Sequence, residues 1–179
     1  SSDLLSSVSQ LNTTNREWKS PPEMFTAKSS FGATVIGKKI YVGGGLSGGE
    51  TLKELEMFDC ENNIWNTLEP MKLARKNFGM TTLNGLIFVS GGDDASGKEL
   101  STVSQYSPHT NTWTDVKPMN QARNCHELVT LNGEIYAIGG LGKQTVECYN
   151  PATNEWNYVA PFGYGNINFF LNATCFLCT

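Results

Sequence analysis

The sequence predicts an all-β fold assembled from one four-stranded unit repeated along the chain. Three observations carry this expectation. Tryptophan recurs at Trp18, Trp65, Trp113 and Trp156, at spacings of 47, 48 and 43 residues. Glycine pairs recur at Gly44-Gly45, Gly91-Gly92 and Gly139-Gly140, at spacings of 47 and 48. Short apolar runs bounded by turn-forming residues lie between these marks, and no window sustains the 3.6-residue periodicity of a helix. A fixed period in the forties signals stacked or radially repeated units.

Each unit can be justified element by element. An Ile-aromatic-aliphatic run precedes each glycine pair: Ile40-Tyr41-Val42, Ile87-Phe88-Val89 and Ile135-Tyr136-Ala137. Ahead of each run sits a hairpin turn, Gly37-Lys38, Asn84-Gly85 or Asn132-Gly133. Seven residues before each tryptophan comes an apolar residue, Leu11, Phe58, Tyr106 or Tyr149, with a polar turn in between. In the second unit the strands are expected near Phe78–Leu83, Leu86–Ser90, Thr102–Tyr106 and Thr112–Val116. Four antiparallel strands at this period fit the blades of a propeller. The glycines would allow close backbone approach where inner strands converge. Each tryptophan with its aromatic partner would fill the wedge between blades.

The organisation expected is therefore 1–22 as the last two strands of one blade, then blades at 23–70, 71–118 and 119–162. Residues 163–179 would be truncated or atypical first strands of a further blade. Trp18 arrives too early to have its own glycine pair within the chain. At the far end Phe162 and Asn166 stand where the preceding unit has Met119 and Arg123. A fragment of a larger ring is the expected reading, and a four-blade ring closed by two half-blades is the alternative. Open blade faces and unpaired edges in a fragment would favour assembly or aggregation.

Composition narrows the function classes. Thirteen basic and 17 acidic residues give a net charge of -4, with the basic residues scattered. That balance argues against general binding to nucleic acid or anionic membranes. No apolar run reaches the roughly 18 residues of a spanning helix. Cys60, Cys125, Cys148, Cys175 and Cys178 are odd in number and irregular in spacing, as expected of free thiols in a reducing compartment. A cytoplasmic location follows as an expectation.

Catalytic signals are weak, and neither a cofactor nor a metal is expected. His109 falls in a surface turn. His126 adjoins Cys125, but neighbours on a strand point to opposite faces, which disfavours a Cys-His pair. Cys175-x-x-Cys178 is half a zinc site with nothing to complete it. Gly43-Gly44-Gly45 with Gly48-Gly49 lacks the Gly-Lys-Ser/Thr of a phosphate loop.

The glycine pair, the aromatic followed by Asp, Ser or Asn, the later tryptophan, then Pro-Met and Arg resemble the kelch repeat. The nearest matches are Tyr106-Ser107-Pro108 with Trp113, Pro118-Met119 and Arg123, and Tyr149-Asn150-Pro151 with Trp156. Phe58-Asp59 with Trp65, Pro70-Met71 and Arg75 follows. The resemblance covers about residues 5–163 and is closest to the kelch domain of BTB-kelch proteins. It implies a non-enzymatic protein-interaction module that selects substrates for a cullin-type ubiquitin ligase, the ligase being reached through a domain outside this chain. An actin-associated kelch scaffold is the alternative, so the partner is a substrate peptide or actin. A kelch-fold oxidase or mutarotase is less favoured, since the copper constellation of the oxidase has no counterpart here.

The resemblance also points to a binding face. It is made of loops joining second to third strands, Leu46–Leu52, Asp93–Leu100 and Leu141–Gln144, and of loops joining blades, Lys72–Asn77 and Asn120–His126. The candidate partner-binding residues are Ser47, Glu50, Arg75, Asn77, Asp93, Asp94, Lys98, Arg123, Asn124 and Lys143. For Arg75 and Arg123, bracing of loop carbonyls and contact with a partner stand as equal alternatives.

Overall fold

A computed structural model describes residue 4 and residues 6–159, and alternation and turn chemistry place fourteen strands among these described residues. The expectations for Phe162, Asn166, Cys175, Cys178 and the whole of 163–179 lie outside the described residues. The first strands, β1 (Gln10–Leu11) and β2 (Trp18–Lys19), form a two-stranded sheet. Three four-stranded antiparallel sheets follow. The first holds β3 (Gly32–Ile36), β4 (Lys39–Ser47), β5 (Glu50–Asp59) and β6 (Ile64–Leu68). The second holds β7 (Gly79–Leu83), β8 (Leu86–Ser90), β9 (Val103–Ser107) and β10 (Thr112–Val116). The third holds β11 (Glu127–Leu131), β12 (Glu134–Ile138), β13 (Val146–Asn150) and β14 (Glu155–Val159). In each the strand order follows the chain, and no helix occurs among the described residues.

The sheets pack as blades with their first strands β3, β7 and β11 side by side. Glycines permit that approach. A Cβ on Gly32 would come within 2.6 Å of the Phe78 ring, and one on Gly79 within 2.7 Å of Leu128 Cβ. Between blades one and two the core holds Tyr41, Leu55, Met57, Met71, Phe78, Ile87, Tyr106 and Trp113. Between blades two and three it holds Leu83, Phe88, Met119, Leu128, Ile135, Tyr149 and Trp156.

The paired aromatics meet as expected. Ring centroids lie 5.2 Å apart for Phe58–Trp65, 5.1 Å for Tyr106–Trp113 and 5.2 Å for Tyr149–Trp156. Each pair faces across a strand register, Tyr106 opposite Trp113 and Tyr149 opposite Trp156. The indoles also tie neighbouring blades. Trp65 Nε1 donates to Pro22 O at 2.8 Å, Trp113 Nε1 to Glu69 O at 2.8 Å, and Trp156 Nε1 to Lys117 O at 2.9 Å. Trp18 is the correction: it is 68% exposed and fills no wedge. Its partner in the repeat is the aliphatic Leu11, and its sheet has only two strands.

A second correction concerns Leu46–Leu52. Instead of a loop, β4 and β5 run on through Leu46, Ser47, Glu50 and Thr51, closed by a two-residue turn at Gly48-Gly49. Both glycines have positive φ, 57° and 89°, which suits a tight hairpin turn.

Candidate partner-binding face

The glycine pairs open the loop face. Gly44 and Gly91 adopt φ of 57° and 61°, a region costly for other residues. A Cβ on Gly44 would lie 2.5 Å from Arg75 O, and on Gly91 2.2 Å from Arg123 O. The pair therefore lets the inter-blade loop of the next blade press onto the end of the second strand. Gly45 N–H donates to Arg75 O at 2.9 Å, and Gly92 N–H to Arg123 O at 2.7 Å.

The arginines themselves turn inward. Arg123 is fully buried, with Nη1 donating to Gly139 O at 2.6 Å and Thr145 O at 2.8 Å, and Nη2 to Thr145 Oγ1 at 2.7 Å. Its Nε and Nη2 also bond the buried Glu147 carboxylate at 3.2 and 3.1 Å. Glu147 in turn accepts the Asn120 and Gln121 amides. Arg75, 2% exposed, donates to Gly91 O, Thr102 O and Thr102 Oγ1. Bracing is thus the role of Arg75 and Arg123, and their burial takes them off the contact surface. Each backbone clamps the previous blade, while each side chain holds the blade it begins.

Lys28 fills the same slot in the first blade, 47 residues before Arg75. It forms a buried ion pair with Glu56 at 2.6 Å, and Glu56 also accepts the Phe25 amide. Sequence reasoning passed over Lys28, Glu56 and Glu147. The repeat spacing would have found Lys28, but nothing in a strand pattern marks a glutamate as buried.

A ladder of loop residues crosses the blades above these braces. Ser30, Asn77 and Cys125 all have positive φ, 54°, 54° and 50°. Asn77 N–H donates to Ser30 O at 3.0 Å, and Cys125 N–H to Asn77 O at 2.8 Å. Asp93 joins two of the loops side by side: Asn77 Nδ2 donates to Asp93 Oδ2 at 2.9 Å and Asn124 Nδ2 to Asp93 Oδ1 at 2.8 Å. The Asn124 amide donates to Glu99 Oε1 at 3.1 Å, and Glu99 Oε2 lies 3.2 Å from Lys143 Nζ. Asn77, Asp93, Asn124 and Lys143 are therefore brought together. Glu50 and Lys98 stand exposed at hairpin tips, with Ser47 half-buried at the end of β4. Asp94 caps the tip of its own loop. Hydrogen bonds from the Ser96 hydroxyl and the Lys98 and Ser96 amides hold its carboxyl below the usual range.

Cys125 and His126 make no dyad. Burial, with Asp93 and Glu99 nearby, pushes the Cys125 thiol up, away from the thiolate a nucleophile needs. His126 is buried with Nε2 2.8 Å from Ser90 Oγ. Burial and the Arg123 and Arg75 charges push its pKa down to about 3, so the ring is neutral at ordinary pH. It occupies the position that Phe78 holds one blade earlier, its ring against Gly91 of the preceding blade as the Phe78 ring lies against Gly44.

The KLHDC2/KLHL20/DRC7 Kelch-repeats domain matches residues 1–140, and the Kelch motif matches residues 122–163. The chain belongs to the kelch-repeat family. Two kelch-related proteins are similar to parts of it. An influenza virus NS1A-binding protein homolog of Xenopus laevis is 31% identical over 78 residues, 44% of this chain and 12% of that protein. An F-box/kelch-repeat protein of Arabidopsis thaliana is 37% identical over 60 residues, 34% of this chain and 23% of that protein. The matched stretches thus span under a quarter of either relative. Kelch repeats form a protein-interaction module, and the three sheets are its blades.

Proposed function

We propose that this kelch domain selects protein substrates for a cullin-type ubiquitin ligase, reached through a domain outside this chain, and that its binding surface is the loop face. The observation that carries the reading is the way the loops are held. Braces beneath and Asp93 between them fix two inter-blade loops and the 93–100 loop in one arrangement. Binding to such a preorganised surface loses little loop entropy. Glu50, Lys98, Glu99 and Lys143 supply charges of both signs at its edge, suited to register and partner choice. The closeness to BTB-kelch domains and the likeness to an F-box/kelch-repeat protein support the adaptor role. Cytoplasm is the compartment this role proposes.

The test is proximity labelling in cells with the natural chain and with a Glu50→Lys, Lys98→Glu, Lys143→Glu variant. Proteins labelled by the natural chain should accumulate when cullin activation is blocked, and the variant should lose them while keeping its thermal midpoint. An unchanged partner set in the variant refutes the loop face. Partners indifferent to cullin blockade, with co-sedimentation on actin filaments, favour the cytoskeletal scaffold.

A further inference from the structure

The three blades repeat one buried cation, but they do not repeat its counter-charge. In the first blade Lys28 meets Glu56 on β5, and in the third Arg123 meets Glu147 on β13. The corresponding residue on β9 is Ser104, which ends at a hydroxyl where glutamate continues to a carboxylate. Arg75 keeps its carbonyl contacts, yet its Nε has no hydrogen-bond partner among the described residues. In the third blade that same nitrogen donates to Glu147. The amides of Lys72 and Leu73 stand in the register positions of Asn120 and Gln121, which also donate to Glu147.

Asp115 does not replace the missing glutamate. It lies across the strand pair from Ser104, with Oδ1 taken by Ser104 Oγ at 2.8 Å and Oδ2 by Lys72 Nζ at 2.8 Å. Its side chain is 61% exposed, and it makes no ion pair with Arg75. The group therefore holds two cations, Arg75 and Lys72, against one carboxylate, whereas Lys28–Glu56 and Arg123–Glu147 are each neutral. A buried guanidinium short of a counter-charge is costly. Burial pushes the Arg75 pKa down to about 10, and the charge of Asp115 offsets that shift only in part.

We propose that the second blade binds a small monovalent anion of chloride size beside Arg75 Nε, where the glutamate carboxylate sits in the flanking blades. The donors are Arg75 Nε and the amides of Lys72 and Leu73, with Ser104 leaving the room. One such ion brings the group to neutrality. Because the donors begin the 72–77 loop, occupancy ties that loop to β9 as Glu147 ties the 120–126 loop to β13.

Thermal unfolding of the full chain in chloride, against methanesulfonate at equal ionic strength, tests this. With chloride about five-fold above its dissociation constant, the natural chain should gain roughly 2–4 °C. Ser104→Glu should abolish the difference by supplying the carboxylate. Ser104→Gln should abolish it by filling the same space without crowding Asp115. Crystals grown in bromide should show an anomalous peak beside Arg75 Nε, a readout independent of any variant. Equal midpoints in the two salts, persistence of the chloride effect in either variant, or a bromide-free map at Arg75 would overturn the proposal.

Discussion

Replacing His126 tests how the inner seam is built. One interface sets Phe78 over Gly44, and the next sets His126 over Gly91. The residue before each glycine pair changes in step, Gly43 in the first blade and Ser90 in the second, where its hydroxyl reaches His126 Nε2. The remaining ring nitrogen, Nδ1, is buried without a partner. With a folded pKa of about 3 against about 6.5 unfolded, the folded state resists the proton that the unfolded chain accepts. The sign follows: this residue leaves stability unaffected above pH 6.5 and subtracts from it as pH falls below that value. Each pKa unit is worth about 1.4 kcal/mol, so roughly 2–3 kcal/mol should be lost between pH 7 and about pH 4.5. The Asp59, Asp94 and Asp115 carboxyls, all held low, also lose stability on acidification. The informative quantity is thus the difference between variants. Ser90→Gly with His126→Phe copies the first interface into the second. Urea unfolding across this pH range should give a shallower loss for the double variant by the same 2–3 kcal/mol, at near-equal stability at pH 7. Parallel pH profiles would refute both the burial of His126 and its neutrality.

Two further perturbations separate the roles of repeated residues. Arg123→Met strands the buried Glu147 charge and should cost about 3–5 kcal/mol by denaturant unfolding. Arg75→Met strands only carbonyl and hydroxyl groups, so about 1–3 kcal/mol is expected; equal costs would contradict the difference between the two blades. Trp113→Ala removes a buried indole that also ties Glu69 O and should cost about 3–5 kcal/mol, whereas the exposed Trp18→Ala should stay within about 0.5 kcal/mol. A large loss at Trp18 would mean that its ring is covered.

The features legible in the sequence were those that repeat because backbone geometry demands them. Gly91 must be glycine at φ 61° under Arg123 O, so the pair recurs at a fixed period and announces the blade. Trp113 and Tyr106 face each other across β9 and β10, so their separation in sequence is fixed by the hairpin. Burial of a polar side chain leaves no comparable trace. Arg75 and Arg123 read equally well as contacts or braces, because spacing says which slot a residue fills and not which way it turns. Asp93 read as a candidate partner contact on an exposed loop, yet it is 8% exposed and accepts amides from two loops. Leu46–Leu52 read as a loop because glycines usually punctuate, while here they close a hairpin between lengthened strands.

The division between buried and exposed polar groups bears on how such a surface changes partner. Charges that set the loop positions, Lys28, Glu56, Arg123 and Glu147, are fully desolvated, and altering one leaves its partner stranded. Glu50 and Lys98 carry no such constraint, being exposed at hairpin tips. Asp93 stands between these classes: its carboxylate is buried, yet the two amides it accepts belong to the inter-blade loops at the surface. A change at the tips alters what the face attracts, whereas a change at Asp93 alters the spacing of Asn77 and Asn124. Partner choice can therefore drift through the tips while Asp93 and the braces keep the loops in place.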